Sequence, residues 1–320
     1  MCGEHPREEG LRSVEIEDAA LQAALQPRFS MQCFQLSPGR RVARMDSLGL
    51  SGAQIVRETQ YAAVQKLGAT PADLCTVSQC TPDPAFRFTD RCTGAEEAIF
   101  FMPENTEFDL RVPAGARTFY VGFSQQAFQH AACALDPERW EDAPRALTAL
   151  PAALPELRQA VDLWLESAEA DDGDHPDPRV LDRLVFQSVV QAVVVAARQG
   201  TASPPPPTRA RALRICQSAR AFVEERMEGD DLPTLSDICA AVGVCERTLQ
   251  YAFREYVGIS PLAYLRLCRL SRARAMLLAA TPEETSVTQV AMRLGFLHLG
   301  RFAGDYKQMF EETPSATLTS

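Results

Sequence analysis

The chain has 320 residues, of which 46% are hydrophobic, enough to bury at least one sizeable core and in keeping with two domains. Its formal net charge of −10 speaks against nucleic-acid binding by bulk charge, but the charge is uneven: Thr208 onward carries 14 Arg and Lys against 13 Asp and Glu, and Ala240 to Ala275 carries 6 Arg against 2 Glu. The N-terminal MCGEHPREEG is too polar for a signal peptide, and no run approaches the roughly 18 to 20 apolar residues of a membrane span, so no membrane partner and a cytoplasmic location are expected.

The 10 cysteines include no C-x-x-C pair, and His5, His130, His175 and His298 are scattered. Metal sites need clustered ligands, so no metal or other cofactor is expected, and the thiols read as small, reduced, apolar side chains.

In chain order, Val14 to Leu25 reads as a short helix. From Phe34 to Phe123, apolar runs such as AIFFMPENTEFDLRVPAG and RTFYVGF alternate with Gly and Pro at roughly ten-residue spacing, the pattern of strands in a sheet or small barrel. Beyond Ser124 the chain turns helical. LPELRQAVDLWLESAEA is followed, after an acidic break, by a helix from Arg179 to Gln199 with Leu181, Leu184, Val185, Ser188, Val189, Ala192 and Val193 on one stripe. Phe186, Val190, Val194 and Val195 lie off the stripe, so the helix is apolar around much of its circumference. It either sits inside a core or packs against a second copy, and dimerisation is the favoured expectation.

Gly200 to Thr208, GTASPPPPT, is a semi-rigid polyproline spacer. It predicts four segments: a β-rich domain over 1–123, a helical dimerisation segment over 124–199, a linker over 200–208 and an all-α domain over 209–320. The fold class expected is α+β, with a β-rich, cupin-like N-terminal half.

The last segment opens with a helix from Arg209 to Met227, and two similar passages follow. In the first, Leu235, Ile238, Cys239 and Val242 share a helical face, Gly243 breaks the helix, and Leu249, Phe253 and Val257 continue on the next. In the second, Val287, Val290, Ala291 and Leu294 are followed by Gly295 and then by Phe302, Tyr306 and Phe310. Each reaches a proline, Pro261 or Pro314, eight residues after its central aromatic. Helix, glycine turn and helix with aromatics four apart is the pattern of a helix-turn-helix, in which the second helix enters the major groove. Between the units, Pro261 to Ala280 predicts a long helix with Leu262, Leu265, Leu270, Ala273 and Leu277 inside and Arg266, Arg269 and Arg272 outside.

From Arg209 to the end, through ICAAVGVCERTLQYAFREYVGISPLAYLRLCRLSRARAMLL and VAMRLGFLHLGRFAGDYKQMFEETPS, the sequence resembles the AraC/XylS family of bacterial transcription regulators. GFLHLGRFA resembles the subgroup that holds ethanolamine-type regulators. The resemblance implies an activator-type regulator that binds double-stranded DNA, engages RNA polymerase, forms a homodimer and responds to a small-molecule effector held in its N-terminal half. Carried over by position, Arg247, Thr248, Gln250 and Tyr251 face the DNA from the first unit, and Arg254 clamps the backbone. Arg301 is the base contact of the second unit, with His298 and Lys307 near phosphates. Arg and Gln suit bidentate readout of guanine and adenine. The family more often has a basic residue at Tyr251 and Ser at Cys245, and its usual small polar residue and arginine are replaced by Gly300 and Gly304. Weaker readout is therefore expected from the second unit, and Arg301 is expected to lack polar neighbours. Cys245, at a helix N-terminus, is a candidate reactive thiol.

The effector expectation falls on aromatics of the β-rich half: Phe86, Phe88, Phe100, Phe101, Phe119 and Tyr120, whose alternative role is ordinary core. An enzyme or metal-dependent cupin with a DNA-binding tail is disfavoured. There is no histidine between His5 and His130, no G-x-S-x-G elbow and no glycine-rich phosphate loop, so no catalytic residue is assigned. The other alternative is a constitutive dimeric regulator whose N-terminal half binds no ligand.

Overall fold

The computed structural model describes residues 10–26, 28–89, 91–92, 98–142, 144–151, 155–169, 177–200, 207–229 and 231–319. The chain divides into two compact units, one formed by the residues up to Cys33 with Arg41–Ser203, the other by Phe34–Arg40 with Pro204–Ser320. Most of the expected spacer, residues 201–206, lies outside the described residues, and Pro207 already opens a helix.

The first unit has three layers. Its larger sheet takes the order β1 (Gly10–Ile16), β3 (Ala43–Gly49), β4 (Ala53–Gln60), β11 (Arg117–Phe123), β6 (Cys75–Cys80), β9 (Ala98–Met102) and β12 (Thr148–Pro151). The smaller runs β2 (Ser30–Gln35), β5 (Val64–Ala69), β10 (Glu107–Val112), β7 (Arg87–Phe88) and β8 (Arg91–Cys92). Residue alternation along the strands of the larger sheet divides their side chains between two cores. Met45, Val56, Phe100 and Met102 meet Val64, Phe88, Phe108 and Val112 of the smaller sheet. Ile55, Val77, Phe101 and Val121 meet the helices α2 (Gln125–Leu135), α3 (Pro137–Trp140), α4 (Pro155–Glu169) and α5 (Pro178–Arg198) on the other face.

Two expectations are corrected here. Val14 to Ile16 is strand, with Val14 opposite Met45 in β1, and the helix α1 begins only at Ala19 (Ala19–Ala24), where the Asp18 carboxylate caps the backbone N–H groups of Ala20 and Leu21. β12 interrupts the helical stretch after Ser124, adding Thr148 to Pro151 to the sheet opposite Phe101 to Ala98. Four residues between helices carry no periodicity of their own, so only the vacant edge of β9 identifies them as a strand.

α5 is long and apolar enough to cross a membrane by composition alone, with a mean hydropathy of 1.6, but Leu181, Val185, Val189, Val190, Val193, Val194 and Ala196 are buried in the core of this unit. Leu184 and Ser188, expected on the same stripe, face outward with Val180 and Val195.

The Pro204–Ser320 part of the second unit is built of helices: α6 (Pro207–Glu228), α7 (Leu235–Val242), α8 (Glu246–Tyr256), α9 (Pro261–Leu278), α10 (Val287–Arg293), α11 (Leu299–Phe310) and α12 (Pro314–Leu318). Pro261 and Pro314 each take the first turn of the helix after a unit, where a missing N–H leaves no bond unmade. Both turn glycines adopt left-handed backbone, Gly243 at φ +69° and Gly295 at φ +74°. At Gly295 a Cβ would also lie 2.6 Å from Leu232 Cδ1, so a side chain there would have to displace the end of Leu232. Leu262, expected inside, is 66% exposed, because Pro261, Tyr264 and Leu265 occupy the inward face of that first turn.

Candidate nucleic-acid interface and inner cavity

The helices preceding and forming each expected reading head end differently. α7 and α10 start with complete capping boxes, Thr234 with Asp237 and Ser286 with Gln289. α8 and α11 start at Cys245 and His298, neither of which makes a side-chain cap bond. Backbone N–H groups at the start of α11 are thus not taken by its own cap residue, the arrangement that binds phosphate oxygens. The T-x-x-D and S-x-x-Q spacings are the sequence signal of these two helix starts.

Leu249, Ala252, Phe253 and Tyr256 bury one face of α8, which leaves Arg247, Tyr251 and Arg254 exposed on the other and Thr248 and Gln250 partly so. Gln250 donates to Glu246 Oε1 at 2.9 Å, which holds its carboxamide along the helix surface. The Cys245 Sγ lies 3.2 Å from Thr248 Oγ1, and that hydrogen bond lowers the exposed thiol's pKa. On α11, Phe302, Tyr306, Met309 and Phe310 are buried while His298, Arg301 and Lys307 face outward. A Cβ at Gly300 or Gly304 would meet nothing within 4 Å, so these glycines leave open space on the outer face.

The connecting helix differs from its expected form. Arg266 pairs with Asp305 of α11, and burial together with the nearby Arg301 charge lowers the Arg266 pKa. Arg269 is partly buried and donates to the Pro233 carbonyl at 3.3 Å, just before α7. Both therefore tie helices together. Arg301 has Arg266 as an electrostatic neighbour and Asp305 one turn along its own helix, so the expectation that it lacks polar neighbours is corrected. Arg274, which the sequence reading did not single out, is 5% exposed, bonds Glu312 at 2.6 Å and lies over the Phe310 ring.

Between the two sheets of the first unit lies a cavity of about 60 Å³ bordered by Phe29, Met31, Phe86, Phe88, Met102 and Phe108, with Glu58, Lys66, Thr76, Ser78, Thr118 and Tyr120 as polar neighbours. Of the expected effector residues, Phe86, Phe88, Phe119 and Tyr120 border it, and Phe100 packs against both Phe86 and Phe88. Phe101 does not: adjacent to Phe100 on its strand, it faces the helices and packs on Phe128 and Trp140. Phe119 belongs to the helix-side cluster too, although it touches the cavity.

Glu58 and Lys66 form a buried ion pair. The carboxylate Oε1 also accepts from Gln22 and Gln26, both at 2.9 Å. Burial alone would raise the Glu58 pKa, but the Lys66 charge and the bonds from Lys66, Gln22 and Gln26 outweigh it and hold the carboxyl below its usual range. Tyr120 donates to Gln26 Oε1 at 3.1 Å, and burial, then the Glu58 charge, push its hydroxyl well up. Ser78 Oγ is buried without a partner. The adjacent Gln79 carboxamide, which also borders the cavity, lacks one too. Burial pushes the thiols of Cys33, Cys75, Cys80 and Cys268 up to about 12, which suits packed, unreactive side chains.

A family model described as a helix-turn-helix domain matches residues 238–320. The "Probable thc operon regulatory protein" of Rhodococcus erythropolis is 45% identical over 85 residues, 27% of this chain and 26% of that protein. The "XylDLEGF operon transcriptional activator 2" of Pseudomonas putida is 37% identical over 98 residues, 31% of this chain and 61% of its own. A solved chain described as a probable AraC family transcriptional regulator, from Rhodopseudomonas palustris CGA009, is 35% identical across 32% of this chain and 94% of that one, at a TM-score of 0.30. The matched segment of this chain is a helix-turn-helix domain similar to those of AraC/XylS-type regulators. The matches to the two curated relatives span about a quarter of one and three fifths of the other.

The Arg266 contact is testable in the helix-turn-helix domain. An arginine held by Asp305 is poorly placed to neutralise a phosphate, so Arg266→Ala should change the slope of log affinity against log salt by well under the about 0.9 expected per lost phosphate contact, whereas Lys307→Ala should reach it. Equal slope changes for the two variants would show that Arg266 leaves Asp305 when DNA binds.

Proposed function

We propose that this protein is a sequence-specific DNA-binding transcription regulator of the activator type, working as a homodimer with RNA polymerase in the cytoplasm and responding to a small molecule bound between the sheets of its first unit. The supporting observation is the pair of helix-turn-helix units joined by α9, with Arg247, Tyr251 and Arg254 exposed on one reading helix and Arg301 and Lys307 on the other. The Pseudomonas putida relative is named an activator, and the aromatic cavity is the concave, mostly apolar kind of site that small ligands occupy. Dimerisation is assigned to the outer face of α5, where Val180, Leu184 and Val195 are exposed.

Footprinting of the full chain on the DNA upstream of neighbouring genes, followed by binding to every single-base variant of the protected site, tests the DNA reading. Arg247→Ala should lose about 1–3 kcal/mol of discrimination at one base pair. Arg301→Ala should lose less, because the open surface at Gly300 and Gly304 adds no second polar contact beside it. A larger change of base preference for Arg301→Ala would make the second unit the principal reader. For the effector, thermal melting of the full chain against a metabolite library should yield at least one stabilising compound, and none would leave the constitutive alternative.

A further inference from the structure

We infer that the cavity between the sheets accepts an uncharged ligand, an apolar body bearing one oxygen function, and rejects carboxylates and ammonium ions of the same shape. The inference rests on the effector reading above and specifies its chemistry.

Charge balance carries the argument. Lys66 is the lysine on the cavity wall, and Glu58 is already its counterion. Gln22 and Gln26 hold the carboxylate from the side of α1 and the segment just beyond it, so Glu58 is fixed in its charged form and cannot readily swing aside. The pair is neutral as a whole. Among the described lining residues an anion entering beside it would sit next to Glu58 with no second cation, and a cation would find the one carboxylate taken. An uncharged oxygen meets neither penalty. An ammonium has three N–H donors and Glu58 engages Lys66 at one carboxylate oxygen, so a carbonyl on the ligand can take a further donor. Ser78 Oγ, buried without a partner on the same wall, supplies a hydroxyl that donates or accepts.

Size narrows the class. An apolar cavity of about 150 Å³ takes benzene, so a cavity of about 60 Å³ admits only a few heavy atoms without adjustment. Larger ligands require side chains to move, and Met31 and Met102 are the flexible ones on this wall.

The test uses the full chain and three probes that share an isopropyl body, isobutyramide, isobutyrate and the slightly smaller isobutylammonium, titrated by calorimetry and thermal melting. Isobutyramide should bind at least tenfold tighter than either ion. In Glu58→Gln, which leaves Lys66 without its counterion, isobutyrate should gain at least tenfold and overtake the amide. If that variant does not fold, Ser78→Val serves instead and should weaken the amide at least threefold. An ion binding best to the wild-type protein overturns the uncharged class and leaves the effector reading standing. Binding of none of the three overturns the inference as well, and the library screen then decides the effector reading on its own.

Discussion

Glu58→Leu alone should destabilise the first unit by about 3–5 kcal/mol, because it strands Lys66, 2% exposed, as a buried cation without a counterion. The double replacement Glu58→Leu with Lys66→Met should recover most of that loss, since two apolar side chains of similar volume need no pairing. Denaturant unfolding of the wild type, Glu58→Leu, Lys66→Met and the double variant measures the coupling directly, and a double variant no more stable than Glu58→Leu alone would show that the pair is not the source of the effect. The sign with pH follows from the direction of the shift. Glu58 has a folded pKa below its unfolded value of about 4.3, so its stabilising contribution is fully present above that pH and is lost as the pH falls through the folded value. The double variant should accordingly lose less stability on acidification than the wild type.

Val189→Glu should unfold the first unit, whereas Leu184→Glu should leave it folded and monomeric. The two residues share the stripe read from the sequence, but Val189 is 0% exposed in the core under the large sheet and Leu184 is 50% exposed. A carboxylate forced into the Val189 site has no partner among its apolar neighbours, and such burial exceeds about 4 kcal/mol, a large part of the stability of an ordinary domain. At Leu184 the change to monomer stability should stay within about 0.5 kcal/mol, as for most surface substitutions. Its effect is instead a like-charge pair across a two-fold contact. Sedimentation together with urea unfolding separates the outcomes: a Leu184→Glu chain that still sediments as a dimer removes the outer face of α5 from the interface.

The sequence by itself determined the second unit. Gly243, Gly295, Pro261 and Pro314 punctuate it at positions where backbone geometry allows few other residues, and the aromatics of α8 and α11 recur at helical spacing, so local rules and the final packing agree. It also gave the strand character of the first unit and four of the six aromatics that border the cavity. What it left open was decided by contacts distant in sequence. Which flank of α5 is buried depends on the sheet laid against it, since a helix apolar on several sides carries no mark of its partner. Thr148 to Pro151 becomes a strand only because β9 offers an unpaired edge. Phe100 and Phe101 are equivalent in composition and opposite in role, because the register of one strand turns one toward the cavity wall and the other toward Trp140. Arg266 and Asp305, 39 positions apart, and Glu58 with Gln22, Gln26 and Lys66, acquire their roles only on folding. An ionic or hydrogen-bonding side chain takes its meaning from the group that faces it, and helical or strand periodicity says nothing about which group that is.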